Sequence, residues 1–152
     1  MIAIGIVVVA LDVTTKTLAT HLWAAHPLRL LGGRLVLDES RNPGAAFGTA
    51  TSLTPLLTLI AAVAVVAAVL IGRRPQTIAV ALTLGLVLGG AGGNLVDRLF
   101  RAPGVMRGHV VDWIDLGWYP SFNLADSSLC IAAVLGVVIS MRSARPTPAA
   151  DQ

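Results

Sequence analysis

The stretch Ile78-Ala-Val-Ala-Leu-Thr-Leu-Gly-Leu-Val-Leu-Gly-Gly-Ala-Gly-Gly-Asn-Leu-Val-Asp-Arg98 decides the fold class. It carries no charge until its end, and it is long enough as a helix to cross ~30 Å of hydrocarbon. Gly85, Gly89 and Gly93 recur every four residues and lie on one helix face, where a second helix can approach closely. Asn94, Asp97 and Arg98 then crowd the end of the run. Polar groups at that depth are expensive and need a reason.

Three similar apolar runs accompany it. The sequence predicts spans over about 2–23, 53–71, 78–96 and 124–141. The whole chain of 152 residues is 55% hydrophobic and only 12% charged. That is too apolar for a soluble domain and too short for several domains. The expected architecture is therefore one membrane domain of four transmembrane helices, with both termini on one side. The first run lacks a basic lead, and Asp12 and Lys16 interrupt it, so it reads as a retained span rather than a cleaved signal. The net charge of +3 is scattered, and no basic run points to nucleic acid.

The connections are unequal. A tight turn at 72–77 and a Pro/Ala-rich tail at 142–152, expected to be disordered, lie on one side. The long connections 24–52 and 97–123 lie on the other. Trp23, Phe47, Phe100, Trp113, Trp118, Tyr119 and Phe122 all fall in or beside the long connections. A plain bundle would carry aromatic belts at both interfaces, so this face serves more than anchoring. Arginines in the short turn and tail favour that side as cytoplasmic.

On the aromatic face stands Gly108-His-Val-Val-Asp112, followed by Phe122-Asn123-Leu-Ala-Asp126. Asn123 reads as a helix N-cap with Asp126 at the third helical position. Asp112 follows Val110 and Val111, as in an alternating strand. A continuous helix would hold the two aspartates ~21 Å apart. Gly117 and Pro120 argue against that helix and for a chain reversal that brings them together. Two carboxylates sharing one proton can activate water against a carbonyl, with no metal and no covalent intermediate.

Other polar groups have plainer readings. Asp12 and Lys16 are four apart and can pair within a helix, or Lys16 can snorkel. Arg98 can pair with Asp97 or Asp115, or can join Asn94 in binding a substrate backbone or a lipid head group. Asn42-Pro-Gly44 suits a turn before a loop of close approach. His109, Asp112 and Asp115 are a weak alternative as metal ligands, without supporting histidine spacing. Cys130, in an apolar run, is expected to be a buried, inert thiol. A second class of function is a proton or solute carrier using Asp12, Lys16, Asp112 and Asp126 as a relay. The crowding of charges on one face speaks against it.

Five blocks in order carry a resemblance: Asp12-Val-Thr-Thr-Lys16, Asn42-Pro-Gly-Ala-Ala-Phe47, Gly89 through Arg98, Gly108 through Asp112, and Phe122 through Asp126. Together they resemble the bacterial lipoprotein signal peptidases (signal peptidase II) over nearly the whole chain. Trp113 departs from the usual Phe after the first aspartate.

The resemblance implies an intramembrane aspartic protease of the bacterial cytoplasmic membrane, sensitive to globomycin and monomeric. Its substrates are diacylglyceryl-modified prolipoproteins, cut just before the lipidated cysteine. It implies Asp112 and Asp126 as the catalytic pair, and Asn42, Gly44, Asn94, Arg98 and Asn123 as residues lining the substrate site. Asp12, Lys16 and Asp97 remain structural polar residues, and no cofactor is implied. It also implies a small extracytoplasmic β-cradle and a short helix, with the active site toward the outer face and both termini in the cytoplasm.

Overall fold

The computed structural model describes residues 1–44 and 53–143. Phe47 and the tail beyond Ser143, for which a cradle and disorder were expected, lie outside the described residues. Among the described residues, four helices are long and apolar enough to cross a bilayer: α1 (Ile2–Leu22), α2 (Thr54–Gly72), α3 (Ile78–Phe100) and α4 (Leu124–Ser143). Three short strands, β1 (Leu28–Leu30), β2 (Leu35–Asn42) and β3 (Val110–Asp115), make one antiparallel sheet in the order β1-β2-β3. A 3-10 turn, Leu31–Gly33, joins the first two strands.

Helix α3 is the centre of the bundle, packed by α1, α2 and α4. Its glycines explain how. Gly85 faces Ile4, Gly89 faces Val8 and Gly93 faces Asp12, so the predicted stripe receives α1. A Cβ on Gly90, on the opposite side, would sit 2.6 Å from the carbonyl oxygen of Ala125, so α4 also rests on bare backbone. Lipid is as apolar as leucine, so bundles in membranes gain from such close packing rather than from burying large side chains. The distribution of residues agrees. Large aliphatic side chains such as Ile6, Leu59 and Val134 face outward, while Asp12, Lys16, Thr58, Asp97, Asp112 and Asn123 are buried.

Helix α3 continues past its polar residues to Phe100. Asn94, Asp97 and Arg98 therefore lie within its last turns, where their partners on other elements satisfy them. The following loop folds back onto the helix end. Gly108 N–H donates to the Arg98 carbonyl at 3.1 Å, and His109 N–H to the Ala102 carbonyl at 2.9 Å. Thr58 of α2 donates to the carbonyl of Met106 at 3.0 Å and ties that loop to the bundle.

The sheet sits over the same end. Leu28 pairs with Leu37 and Ser40 with Asp112, with a bulge between Leu37 and Ser40. After β3 the chain reverses through Gly117, whose φ of 75° suits glycine, and Phe122 pairs back with Ile114. Trp23 at the end of α1 packs its ring against Trp113, centroids 5.7 Å apart.

One outcome tests the stripe. Gly89→Val places methyl groups into Val8 and the Gly5 carbonyl. It should lower unfolding stability in detergent by about 1–3 kcal/mol, whereas Gly136→Ala, with open space around it, should change the thermal midpoint little.

Candidate active site

Asp126 is fixed by its own helix start. Its backbone N–H donates to Asn123 Oδ1 at 3.0 Å, and its Oδ2 accepts from the Asn123 N–H at 3.2 Å. This reciprocal cap leaves the other oxygen free to face the bundle. There Oδ1 accepts from Asn94 Nδ2 at 2.8 Å.

Asp112 comes from β3, and the chain reversal at Gly117 carries it to the same place. Its Oδ1 accepts from Asn123 Nδ2 at 2.7 Å, and its Oδ2 from Asn42 Nδ2 at 3.1 Å. Asn42 is held in turn because its Oδ1 accepts from Gly44 N–H at 2.9 Å. Gly44 has φ 131°, and a Cβ there would press on Thr54 Oγ1 and Leu57 at 3.1 Å. Only glycine suits that turn.

Asn123 thus touches both carboxylates, one through its side-chain amide and one through its backbone. Burial pushes Asp112 up to about 7, and the charge of Asp126 adds to the rise. The amides of Asn42 and Asn123, and the Lys16 charge, oppose it. Two carboxylates in such a setting share protons as a unit.

Beneath the pair lies a second cluster. Lys16 is fully buried and reaches Asp12 Oδ2 at 2.7 Å, Asp97 Oδ2 at 3.0 Å and Asn94 Oδ1 at 2.9 Å. Asp12 Oδ1 accepts from Ala125 N–H at 2.9 Å and pins the start of α4 to α1. Asp97 accepts from Val111 N–H at 3.2 Å and pairs with Arg101, four residues on. Lys16 pairs with Asp12 four residues away, as the spacing predicts, rather than snorkelling, because α1 turns it onto the carboxylates of its own helix and α3. Two expectations are corrected here. Arg98 does not take Asp97 or Asp115 as partner: it is buried and points to the Gly108 carbonyl at 3.5 Å, while Arg101 takes Asp97. Cys130 is exposed on the outer side of α4 rather than buried, because an evenly apolar helix gives no sign of which side faces its neighbours.

The metal alternative has no support in the geometry. Asp112 and Asp115 are three apart on a strand and so lie on opposite faces. Asp115 Oδ1 accepts from Gly117 N–H at 2.7 Å. Among the described residues no three His, Cys, Asp or Glu side chains converge.

Sequence reasoning missed two features. Arg101 had a signal, its spacing of four from Asp97. The other is a cleft of about 290 Å³ beside Asp126, lined by Leu116, Trp118, Tyr119, Phe122, Ser127 and Cys130. Asp126 and Cys130 share a helix face there, so the cleft runs from the carboxylate toward the exposed flank of α4.

The fold and site define a multi-pass membrane protein with a carboxylate pair at one end of its bundle. The profile of the family described as signal peptidase (SPase) II matches residues 4–142. The chain belongs to that family. It is 52% identical over 141 residues to the lipoprotein signal peptidase of Rhodococcus jostii (strain RHA1), covering 92% of this chain and 71% of that one. It is 46% identical over 142 residues to that of Mycobacterium tuberculosis (strain ATCC 25618 / H37Rv), covering 93% and 70%. Its fold superposes on a bacterial membrane enzyme solved at 2.3 Å with a TM-score of 0.82 and 26% identity, over 99% of this chain and 93% of that one. A second such enzyme, solved at 1.9 Å, gives a TM-score of 0.77 and 28% identity over 95% and 93%.

Because Asp112 is raised from 3.8 to about 7, the folded protein holds its proton more tightly than the unfolded chain does. The resulting stabilisation is fully present below the unfolded value and disappears as pH rises through the folded one. Thermal unfolding in detergent should show stability falling between these limits, with Asp112 contributing about 1.4 kcal/mol per pH unit at most. Asp112→Asn should flatten that slope.

Proposed function

We propose that this protein is an intramembrane aspartic endopeptidase that removes signal peptides from diacylglyceryl-modified prolipoproteins, cutting just before the lipidated cysteine. The observation that carries this reading is the convergence on Asn123. Asp112 and Asp126, from a strand and a helix, meet at one side chain where the polar face caps an apolar bundle. Family membership and the lipoprotein signal peptidase relatives support the substrate class.

The chemistry follows from two carboxylates holding one proton. The ionised member takes a proton from water as the water oxygen attacks the scissile carbonyl carbon. The protonated member donates to the carbonyl oxygen, which becomes a hydroxyl. The tetrahedral species collapses: one hydroxyl returns its proton to the member now ionised as the carbonyl re-forms, the C–N bond breaks, and the leaving nitrogen takes the proton held by the other member. A carboxylic acid and an amine leave, and the pair again holds one proton.

Binding is assigned to the groups around the pair. Asn42, Gly44, Asn94, Arg98 and Asn123 line the substrate path, with Arg98 offering charge to a peptide carbonyl or lipid head group. The apolar cleft toward Cys130 gives a lipid-borne substrate an approach from within the bilayer. The sheet and long connections face the outer side of the cytoplasmic membrane, with both termini in the cytoplasm. In this reading the enzyme acts as a monomer and globomycin competes at the same site.

The test is hydrolysis of a diacylglyceryl prolipoprotein by purified protein in detergent. Asp112→Asn and Asp126→Asn should each lower turnover by about 10³-fold, and a chelator should leave it unchanged. Near-normal turnover by either variant would remove the pair from catalysis. Proton flux in proteoliposomes without cleavage would instead point to a carrier.

A further inference from the structure

Lys16 lies one residue removed from the aspartate pair. Its ammonium is ion-paired with Asp12 and Asp97 and donates to Asn94 Oδ1. An amide can be turned two ways, and here the choice is forced. With Oδ1 toward the ammonium, Asn94 Nδ2 points at Asp126 Oδ1, 2.8 Å away. Turned over, the amide would set donor against donor at Lys16 and acceptor against carboxylate at Asp126. Asn123 Nδ2 also points to Asn94 Oδ1, at 3.4 Å, so the closer lysine charge and the Asn123 amide together set the donor that Asp126 meets.

From this we infer that Lys16 is a positioning residue for the pair: acting through Asn94, it orients a donor onto Asp126 and keeps that aspartate the charged member. The inference rests on the proteolytic reading above. The surroundings of the two carboxylates agree with it. Asp126 has the backbone N–H of Asn123, the positive end of α4 and an amide polarised by an ammonium. Asp112 takes its hydrogen bonds only from the neutral amides of Asn42 and Asn123, with the Lys16 and Arg98 charges acting on it at longer range. Asp126 is then the base toward water, and Asp112 carries the shared proton.

The other charged groups around Asp126 are few. Arg98 of α3 acts on both carboxylates, and Asp112 faces Asp126 from β3. Asp12 of α1 and Asp97 of α3 lie behind Lys16, with Arg101 on the far side of Asp97. Helix α2 contributes no charge. Removing Lys16 alone would leave Asp12 and Asp97 short of a cation, so the informative variant is neutral overall. Lys16→Met with Asp12→Asn removes one charge of each sign, and an asparagine at 12 can still accept from Ala125 N–H.

The experiment is the pH dependence of kcat/KM and kcat for prolipoprotein cleavage in detergent, with folding checked by thermal unfolding. In the double variant the acid limb should move up by about one pH unit, and kcat should fall at least about tenfold with KM little changed. Asp12→Asn alone keeps the ammonium on Asn94, and its acid limb should not move up. Lys16→Gln with Asp12→Asn keeps a neutral donor toward Asn94 and should fall between the two. An acid limb in the Met variant that coincides with that of the parent would overturn the inference. So would failure of both double variants to fold while Asp12→Asn folds, which would assign Lys16 to the fold alone. Absence of cleavage by the unaltered protein is a separate result and strikes the proteolytic reading itself.

Discussion

The structure depends on one buried ammonium. Lys16 stands at a depth where an unpaired charge is strongly unfavourable, and three oxygens from two helices meet it there. Those oxygens fix the rotation of α1 against α3, because Asp12 and Lys16 must face Asp97 and Asn94. The glycines at 85, 89 and 93 let the helices come close enough for this. Through Asp12 and Ala125 the same cluster sets where α4 begins. The position of Asp126 is thus inherited from a salt bridge on another helix.

Above the cluster, Asn123 turns fold into site. Its cap with Asp126 is a common way to begin a helix. What is particular is that the side chain still reaches Asp112 across the chain reversal at Gly117. Structural and chemical roles do not compete here, because they use different atoms of one residue. Around the pair the donors of Asn42, Asn94 and Asn123 each end on one of the two carboxylates.

Much of this was legible in the sequence because polar residues stand out against apolar runs. Asn123 and Asp126 showed their cap by spacing, and the glycine stripe showed its face by period. Gly117 and Pro120 ruled out the helix that would have parted the aspartates. What stayed hidden was identity of partner. Nothing in the chain around Arg98 says that it turns to the Gly108 carbonyl while Arg101 takes Asp97. Nothing in α4 says that Cys130 lies outside, since its apolar residues surround the helix on all sides. Lys16 announced its pairing with Asp12 by spacing, but its contact with Asn94 depends on how two helices rotate, which is decided by packing.

The pairing of Asp12 with Lys16 on one helix also bears on how the protein is made. Chains emerge from the N-terminus, so α1 enters the bilayer before Asp97 and Asn94 have been synthesised. During that interval the lysine has no interhelical partner. A counter-ion one turn away lets the segment enter as a neutral unit, and the later helices then recruit a charge already carried into place. Had the partner resided only on α3, the first span would have carried an unpaired lysine into the bilayer at a cost of about 2.5–3.5 kcal/mol.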